Sequence, residues 1–549
     1  MTKRALFAFA AIALAVIGAG GCTKIATQTG MGKSNPWTTP GVLRIGIRQE
    51  PDNLNPALSS QAIGLDIAMF WAGFLLDYDD RGRFVPDLAI ALPTVQNGGI
   101  SKDGRTITYR LRPGVTWQDG APFTADDIIF SWHAIMNPRN EVPNRVGFEE
   151  IASIEKLDDH AIAVHLAQPY APFIADFFTP AGYNNFIILP SHLLARYPDI
   201  NRVPFNVMPV GLGPYRVVHY EPDNLIRLEA NQRYWRGAPG LRKVDIHIVP
   251  NDNTLATLIR SHEIDFYYRV PHKIARTLRD VQGTTLVSAW FTRFADIGFN
   301  TASPIMSDVR VRRALAYATD KRALIQQVTY GADLIADSDQ PPSLWAHSAT
   351  VPQYQYDPAR ATALLESAGW HAGPDGMREK DGAPLQIGLA GAAGDVTSLA
   401  TREVLQAQWR KVGVDAEIKS YPSSVLFAPY SAGGIERSGR FDAVMHSWGN
   451  GADPDDSGLF ECRAAAPAGD NVYRFCDPAL DAAERKALAT NDVAVRKTQY
   501  VRIQDILARQ MPLLMLWFER YDYAVNSDMR NFQPAHVGSP FWNTWQWQI

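Results

Sequence analysis

Apolar residues run without a break from Ala5 to Ile17, between the charges of Lys3 and Arg4 and the small residues Gly18 to Gly21 that lead to Cys22. As a helix this run spans about 20 Å, short of a hydrocarbon core of about 30 Å. The layout is that of a bacterial export signal ending in a cysteine. No later apolar stretch approaches membrane-spanning length. Residues 23–40 are polar, rich in Gly, Pro and Thr, and aperiodic, as in a flexible spacer.

The periodicities of folded elements follow. Val42 to Ile47 alternates as a strand, and Arg105 to Arg112 alternates again with Ile107, Tyr109 and Leu111 on one face, before a turn at Pro113-Gly114. The second half reads as α/β. Asp357-Pro358 opens a helix that stops at Gly369, Leu385–Leu389 is a short strand, and a helix from Ser398 to Val412 ends at Gly413. Strands over Asp415–Ser420 and Phe441–Trp448 come next, and Asp477-Pro478 caps a further helix. Ligands of open α/β sheets sit beyond the carboxyl ends of strands. That rule singles out two Gly-rich loops, Gly391–Asp395 and Gly449–Asp453.

A length of 549 residues exceeds one core and predicts three or four domains. A formal charge of −4 and a pI near 6.3 speak against nucleic acid or an anionic membrane surface as main partner. The 14 Trp and 20 Tyr serve core packing, and some are available to line a broad pocket. Of three cysteines, Cys22 is set aside for an anchor at the end of the export signal, which leaves Cys462 and Cys476 as an even pair. A bridge between them closes a loop of about 15 residues, worth about 3 kcal/mol by chain entropy; free thiols are the alternative. No zinc spacing, GxSxG elbow, HExxH, Walker A or CxxC is present, so neither a cofactor nor a metal site is expected.

Several blocks in order along the chain carry a family resemblance. They are Glu50-Pro51 to Leu54-Asn55-Pro56, Trp117-Gln118-Asp119-Gly120 with Phe123 to Asp127, and Gly211-Leu212-Gly213-Pro214-Tyr215. Asn231 with Tyr234 to Gly237, Val309 to Leu315 with Tyr317 to Asp320, Asp357-Pro358 with Ala368 to Trp370, and Asp453-Pro454-Asp455 complete them. From about residue 42 onward the chain resembles the extracytoplasmic solute-binding proteins of ABC importers, the dipeptide/oligopeptide-binding family (family 5). Most of these positions have a scaffold explanation, such as Thr124 and Asp308 as helix N-caps and Gly213-Pro214 as a tight turn.

The resemblance implies an α/β clamshell of the periplasmic-binding-protein type II, two lobes joined by a hinge, with the extra domain of peptide-binding members. Domain I would comprise 41–85, 196–298 and 523–549, domain II 86–195, and domain III 299–522, behind a signal peptide (1–21) and an anchor and linker (22–40). Crossovers are expected near Phe299-Asn300 and from Phe518 to Asp522. Cys22 after Gly20-Gly21 resembles a lipobox, with Ala19 where Leu is usual; lipidation there would tether the protein in the periplasm or at the cell surface. An ordinary signal peptide with an incidental cysteine is the other reading.

Implied partners are a peptide or other small solute and the permease subunits of an ABC transporter, with the chain a monomer. Ligand contacts are expected from Ser59, Ser60 and Gln61 in domain I and from His446, Trp448, Gly449, Asn450 and Gly451 in domain III. In peptide-binding members an aspartate three residues after the domain III tryptophan pairs with the peptide's amino group. Here the third residue after Trp448 is Gly451, and alignment on Asp453-Pro454-Asp455 puts Asn450 at the anchor; neither is charged. Either Asp453 substitutes, or the ligand lacks a free α-amine, as do modified peptides, oligosaccharides and nickel or haem complexes. Arg402 has two readings, a fork for a ligand carboxylate or a solvated helix-terminal charge. His446 reads as a hydrogen-bonded strand residue. The competing function classes are a secreted enzyme assembled from distant residues and a structural envelope lipoprotein.

Overall fold

The structure is a computed structural model that describes residues 34–549 except Ser60, Asn144, residues 181–185, Pro429 and Pro467. The expected signal (1–21), the lipidation position Cys22, most of the linker and the candidate Ser60 lie outside the described residues.

One mixed sheet runs through the molecule. From one edge its strands are Asp415–Tyr421, Gln386–Ala392, Ala443–Gly449, Thr284–Phe299, Leu513–Asn526, Phe266–Val270, Val42–Ile47, Lys243–Ile248, Leu225–Ala230 and Tyr215–Glu221, with Leu334–Ile335 paired to Leu513–Asn526. Gln386–Ala392 is parallel to both its neighbours, with the helix Val396–Arg410 as the crossover to Asp415–Tyr421. The α/β pattern read in the second half therefore holds, with boundaries moved by one to three residues, so that Gly391, expected in a loop, lies in the strand Gln386–Ala392. Val42–Ile47 is parallel to both its neighbours in the other half.

Three large hydrophobic cores flank this frame. The first joins Leu43, Ile45, Val244, Ile246, Phe266 and Val525. The second joins Ile297, Leu315, Ile387, Leu389, Trp409 and Leu514. The third lies under an antiparallel sheet of Thr106–Arg110, Ala161–Leu166 and Ile151–Asp158 and the helix Ala125–Met136. The resemblance blocks hold these cores together. Thr124 and Asp127 form a capping box, and the Asp127 carboxylate also accepts from Trp117 Nε1 (3.1 Å) and Ser191 Oγ (2.7 Å). Gly211 is required by close approach, because a Cβ there would lie 1.7 Å from the Trp71 carbonyl oxygen. Asp308 caps the helix Val309–Tyr317, and the buried Arg312 donates to the Gln510, Met511 and Met306 carbonyls. Cys462 and Cys476 form the disulfide, with Cα atoms 4.5 Å apart.

Two long strands carry the chain between the first and second cores. Val287, Tyr523 and Val525 pack with the first, whereas Ala295, Ile297, Leu514 and Leu516 pack with the second. Their antiparallel register runs from Thr284↔Asn526 to Trp290↔Arg520, breaks, and resumes at Phe294↔Phe518. Beside the break, His272 bridges two carboxylates, with Nδ1 2.9 Å from Asp522 and Nε2 3.4 Å from Asp333. Burial works against the imidazolium, but the hydrogen bonds to Asp333 and Asp522 outweigh it and raise the pKa from 6.5 to about 9.

A group whose pKa is raised by folding stabilises fully below its unfolded pKa and loses that contribution as pH rises through the folded value. Thermal melts should show stability falling by about 1–3 kcal/mol between pH 6.5 and 9, and His272→Gln should flatten that segment; an unchanged slope in the variant would overturn the assignment. Replacing both Cys462 and Cys476 by serine should cost about 3 kcal/mol of stability, read as an earlier melt of oxidised wild type against variant, with no difference under reducing conditions.

Candidate functional site

Strand Ala443–Gly449 delivers its last residues to the junction of the two halves, where Arg293 lies opposite Gly449 and Phe294 opposite Trp448. Trp448 and Gly449 are half-buried, and a Cβ at Gly449 would meet open space. Asn450 is fixed by the strand: its N–H donates to the Thr292 carbonyl (2.9 Å), and Thr292 Oγ1 donates to the Asn450 carbonyl (2.5 Å). Its side-chain amide donates to the Asp339 carbonyl (2.5 Å), while its Oδ1 is buried without a hydrogen-bond partner. Gly451 is buried beside it.

His446 lies deeper in the same strand. Nε2 is 3.3 Å from the Tyr473 hydroxyl, and Nδ1 stands 3.5 Å from the fully buried Asp296. Burial first, and the charge of Arg293 second, hold its pKa down to about 4, so the ring is neutral. Burial also pushes Glu436 up to about 7 and Asp296 well above the carboxylate range.

Ser59 and Gln61 sit in the first half, ahead of the helix Ala62–Ala68. Ser59 Oγ donates to Asp52 (2.5 Å) and accepts from the Gln61 N–H (3.0 Å), so it shapes the start of that helix. Two expectations need correction. Asp453 is not a free carboxylate: both its oxygens are held by the Arg496 guanidinium at 2.6 and 2.7 Å. Arg402 is not solvated but fully buried, and donates to the Lys419 carbonyl (2.9 Å) and Ser420 Oγ (3.2 Å), clamping the edge strand. A helical residue about two turns in from its N-terminus points back toward that end over the sheet, here onto Gly391, whose absent side chain makes room for it.

Sequence reasoning missed a cluster of aromatic and charged residues on the long strands. It consists of Trp290, Phe291, Arg293, Glu519 and Tyr521 at the break in the long strands, and Arg269 beside them. Arg269 has φ +51° at the irregularity between Tyr267 and Val270, a left-handed backbone that costs about 1–3 kcal/mol in a non-glycine residue. Its guanidinium lies over Tyr521 (4.5 Å) and Tyr268 (4.8 Å) and donates to Asp66 (3.2 Å). Arg293 donates to the Ser447 carbonyl at 3.3 Å and stands 3.4 Å from Glu519. The interleaving of aromatic and charged residues over 290–293 and 517–523 was the signal available in the sequence.

The two halves also touch at their rims. The Tyr170 hydroxyl lies 3.0 Å from Asp176 on its own side and 3.2 Å from Asp455 on the other. A hydroxyl has one proton to give, so one of the two carboxyls is protonated for both contacts to be favourable. Burial raises the pKa of each, in the sense that this sharing needs. The Ala171 N–H donates to the Leu488 carbonyl (2.8 Å), and Tyr78, Leu344 and Val537 form a small shared core. Between these contacts lies a cavity of about 740 Å³, lined by Phe84, Ile100 and Ile174 on one side and Trp345, Ala452 and Arg496 on the other. Its volume lies in the range of small-molecule pockets.

A family model described as bacterial extracellular solute-binding proteins, family 5 (middle), matches residues 83–470. The dipeptide-binding protein of Escherichia coli is 29% identical over 463 residues, 80% of this chain and 83% of that protein. Heme-binding protein A of Haemophilus influenzae is 30% identical over 438 residues, 75% and 76% of the two chains. The solved structure of NikZ from Campylobacter jejuni in complex with Ni(L-His) superposes with a TM-score of 0.79 at 26% identity, covering 93% of this chain and all of that one. With its two-lobed α/β frame and family-wide match, the chain belongs to the bacterial extracellular solute-binding proteins of family 5.

Proposed function

We propose that the protein captures a short peptide or peptide-like solute between its lobes and presents the closed, loaded form to an ABC transporter permease. The observation that carries this reading is the contact of the two rims through Tyr170, Asp176 and Asp455, which a hinge at Phe291–Arg293 and Glu519 would make and break. Closure that depends on the solute is what lets a permease discriminate loaded from empty protein. The lobes would be those implied by the resemblance, with 41–298 and 523–549 on one side and the intervening segment on the other. Export and anchoring through Cys22, with the chain acting as a monomer, complete the proposal.

Peptide-binding and nickel- or haem-associated relatives share this frame. One observation favours a ligand without a free amine. At the expected anchor the Asn450 amide is engaged with Asp339, and the nearby Asp453 is paired with Arg496. A buried ammonium with no counter-charge is costly.

Native mass spectrometry of protein purified folded from its own envelope should reveal a ladder of short-peptide masses. One discrete non-peptide mass would move the ligand to the amine-free class, and an empty protein would sink the solute-binding reading. For a recovered peptide, calorimetry should give the N-acetylated form an affinity within about threefold of the free amine, because Asn450 carries no charge and Asp453 is paired with Arg496. A hundredfold loss would mean that a carboxylate reaches the amine.

A further inference from the structure

We propose that the sheet edge of the second half carries a separate binding site, a pocket for a small, multiply charged oxyanion lined by Arg474, Arg440 and Lys419. It is distinct from the cleft between the halves and stands independently of the solute-binding reading.

The parallel edge strands Gln386–Ala392 and Asp415–Tyr421 are covered on one face by the helix Val396–Arg410, where Ile387 and Leu389 join Leu405 and Trp409 in the second core. By the two-residue period of a strand, the other face presents Gly388, Ala390, Lys419 and Tyr421. Gly388 and Ala390 are too small to fill the layer above them, and a cavity of about 470 Å³ remains. Asn300, Phe441, Asp442, Arg440 and Arg474 complete its lining. Asp442 precedes the strand Ala443–Gly449 and Gly449 ends it, which separates them by roughly 20 Å at about 3.3 Å per residue. The pocket is therefore remote from the junction of the halves.

The lining sets three cations against one carboxylate. Asp442 is committed to the backbone, accepting from the Gly388 N–H at 3.0 Å, and Lys419 pairs with Glu417 at 3.2 Å. The two arginines lack such partners. Arg440 donates to Ser438 Oγ (3.0 Å) and the Gly433 carbonyl, and Arg474 donates to the Val472 (3.1 Å) and Arg437 (2.9 Å) carbonyls. Among the described residues neither pairs with a carboxylate, and a guanidinium has five N–H donors, so each keeps donors open. Burial lowers the pKa of Arg474, the direction expected of a cation taken from water without a counter-charge.

The backbone holds these cations in place. Arg474 has φ +54°, a left-handed conformation that is costly in a non-glycine residue, and it lies inside the loop closed by Cys462 and Cys476. Its guanidinium packs on Gly439, where a Cβ would collide with it. Asn300 Nδ2 donates to the Gly439 (3.0 Å) and Phe441 (3.1 Å) carbonyls, which fixes the segment that carries Arg440. An oxyanion of two or more charges balances this lining and fills the arginine donors in paired bonds. The volume suits a small polycarboxylate or a phosphate ester, whose shared chemistry is the charged oxygen cluster.

Citrate and inorganic phosphate serve as probes in calorimetric titrations of the full chain at constant ionic strength, beside Arg474→Gln, Arg440→Gln and Lys419→Gln. At least one probe should bind wild type saturably, and Arg474→Gln should weaken it at least tenfold. Arg440→Gln and Lys419→Gln should each weaken it at least threefold, which decides the matter if Arg474→Gln melts early. Preference for citrate supports a polycarboxylate ligand, and preference for phosphate supports a phosphate ester. Solute recovered with the protein from its envelope should be retained by the folded variants. No saturable binding of either probe to wild type overturns the proposal, as does unchanged affinity in the folded variants. Loss of the recovered solute together with the probe would place both in the cleft and overturn it as well. An empty wild type that binds a probe overturns the solute-binding reading and leaves this site standing.

Discussion

The antiparallel ladder of Thr284–Phe299 and Leu513–Asn526 is the constraint on which the rest of the molecule depends. Backbone hydrogen bonds make these strands stiff along their length, and each is anchored in a different core at its two ends. The register shifts between Trp290 and Phe294 and again between Ala295 and Asp296, so the ladder is interrupted within this short segment. The ladder thus joins the halves and is most compliant there. Trp448 and Gly449 are brought beside this segment by the strand Ala443–Gly449, which pairs with Thr284–Phe299.

Charge is distributed around the junction so that nearly every ionised group has a partner. Asp453 is held by Arg496, Asp66 by Arg269 and Tyr268, and Asp522 by His272. Where carboxyls are buried together, burial drives them to the neutral form. Glu484 is pushed up to about 8 and Asp456 well above its usual range, in contact with Asp339. The same logic operates at the rims, where Tyr170 links two carboxyls that cannot both be ionised at low cost.

Family membership fixes the frame and the mode of capture, and leaves the solute to local chemistry. Relatives named for dipeptides, nickel and haem share 28–30% of aligned residues with this chain. In this chain that chemistry includes the neutral amide of Asn450 at the expected anchor.

The sequence by itself determined the elements whose causes are local. Period-two alternation set Val42–Ile47, the Asp-Pro caps set the helices at 358 and 478, and the even pair of cysteines set the disulfide. Ordered motifs along the chain were enough for the family and hence the two-lobed frame. Only the tertiary structure decided the roles of the charged residues. Arg402 and Asp453 looked available because a sequence does not show that a sheet edge or an arginine on a distant helix will claim their hydrogen bonds. Arg269, Arg293, Glu519 and Tyr521 were invisible as a group because they come from three strands far apart in the chain. A strand pattern predicts which face is buried, but which polar atoms remain unpaired depends on partners that only folding brings within hydrogen-bond distance.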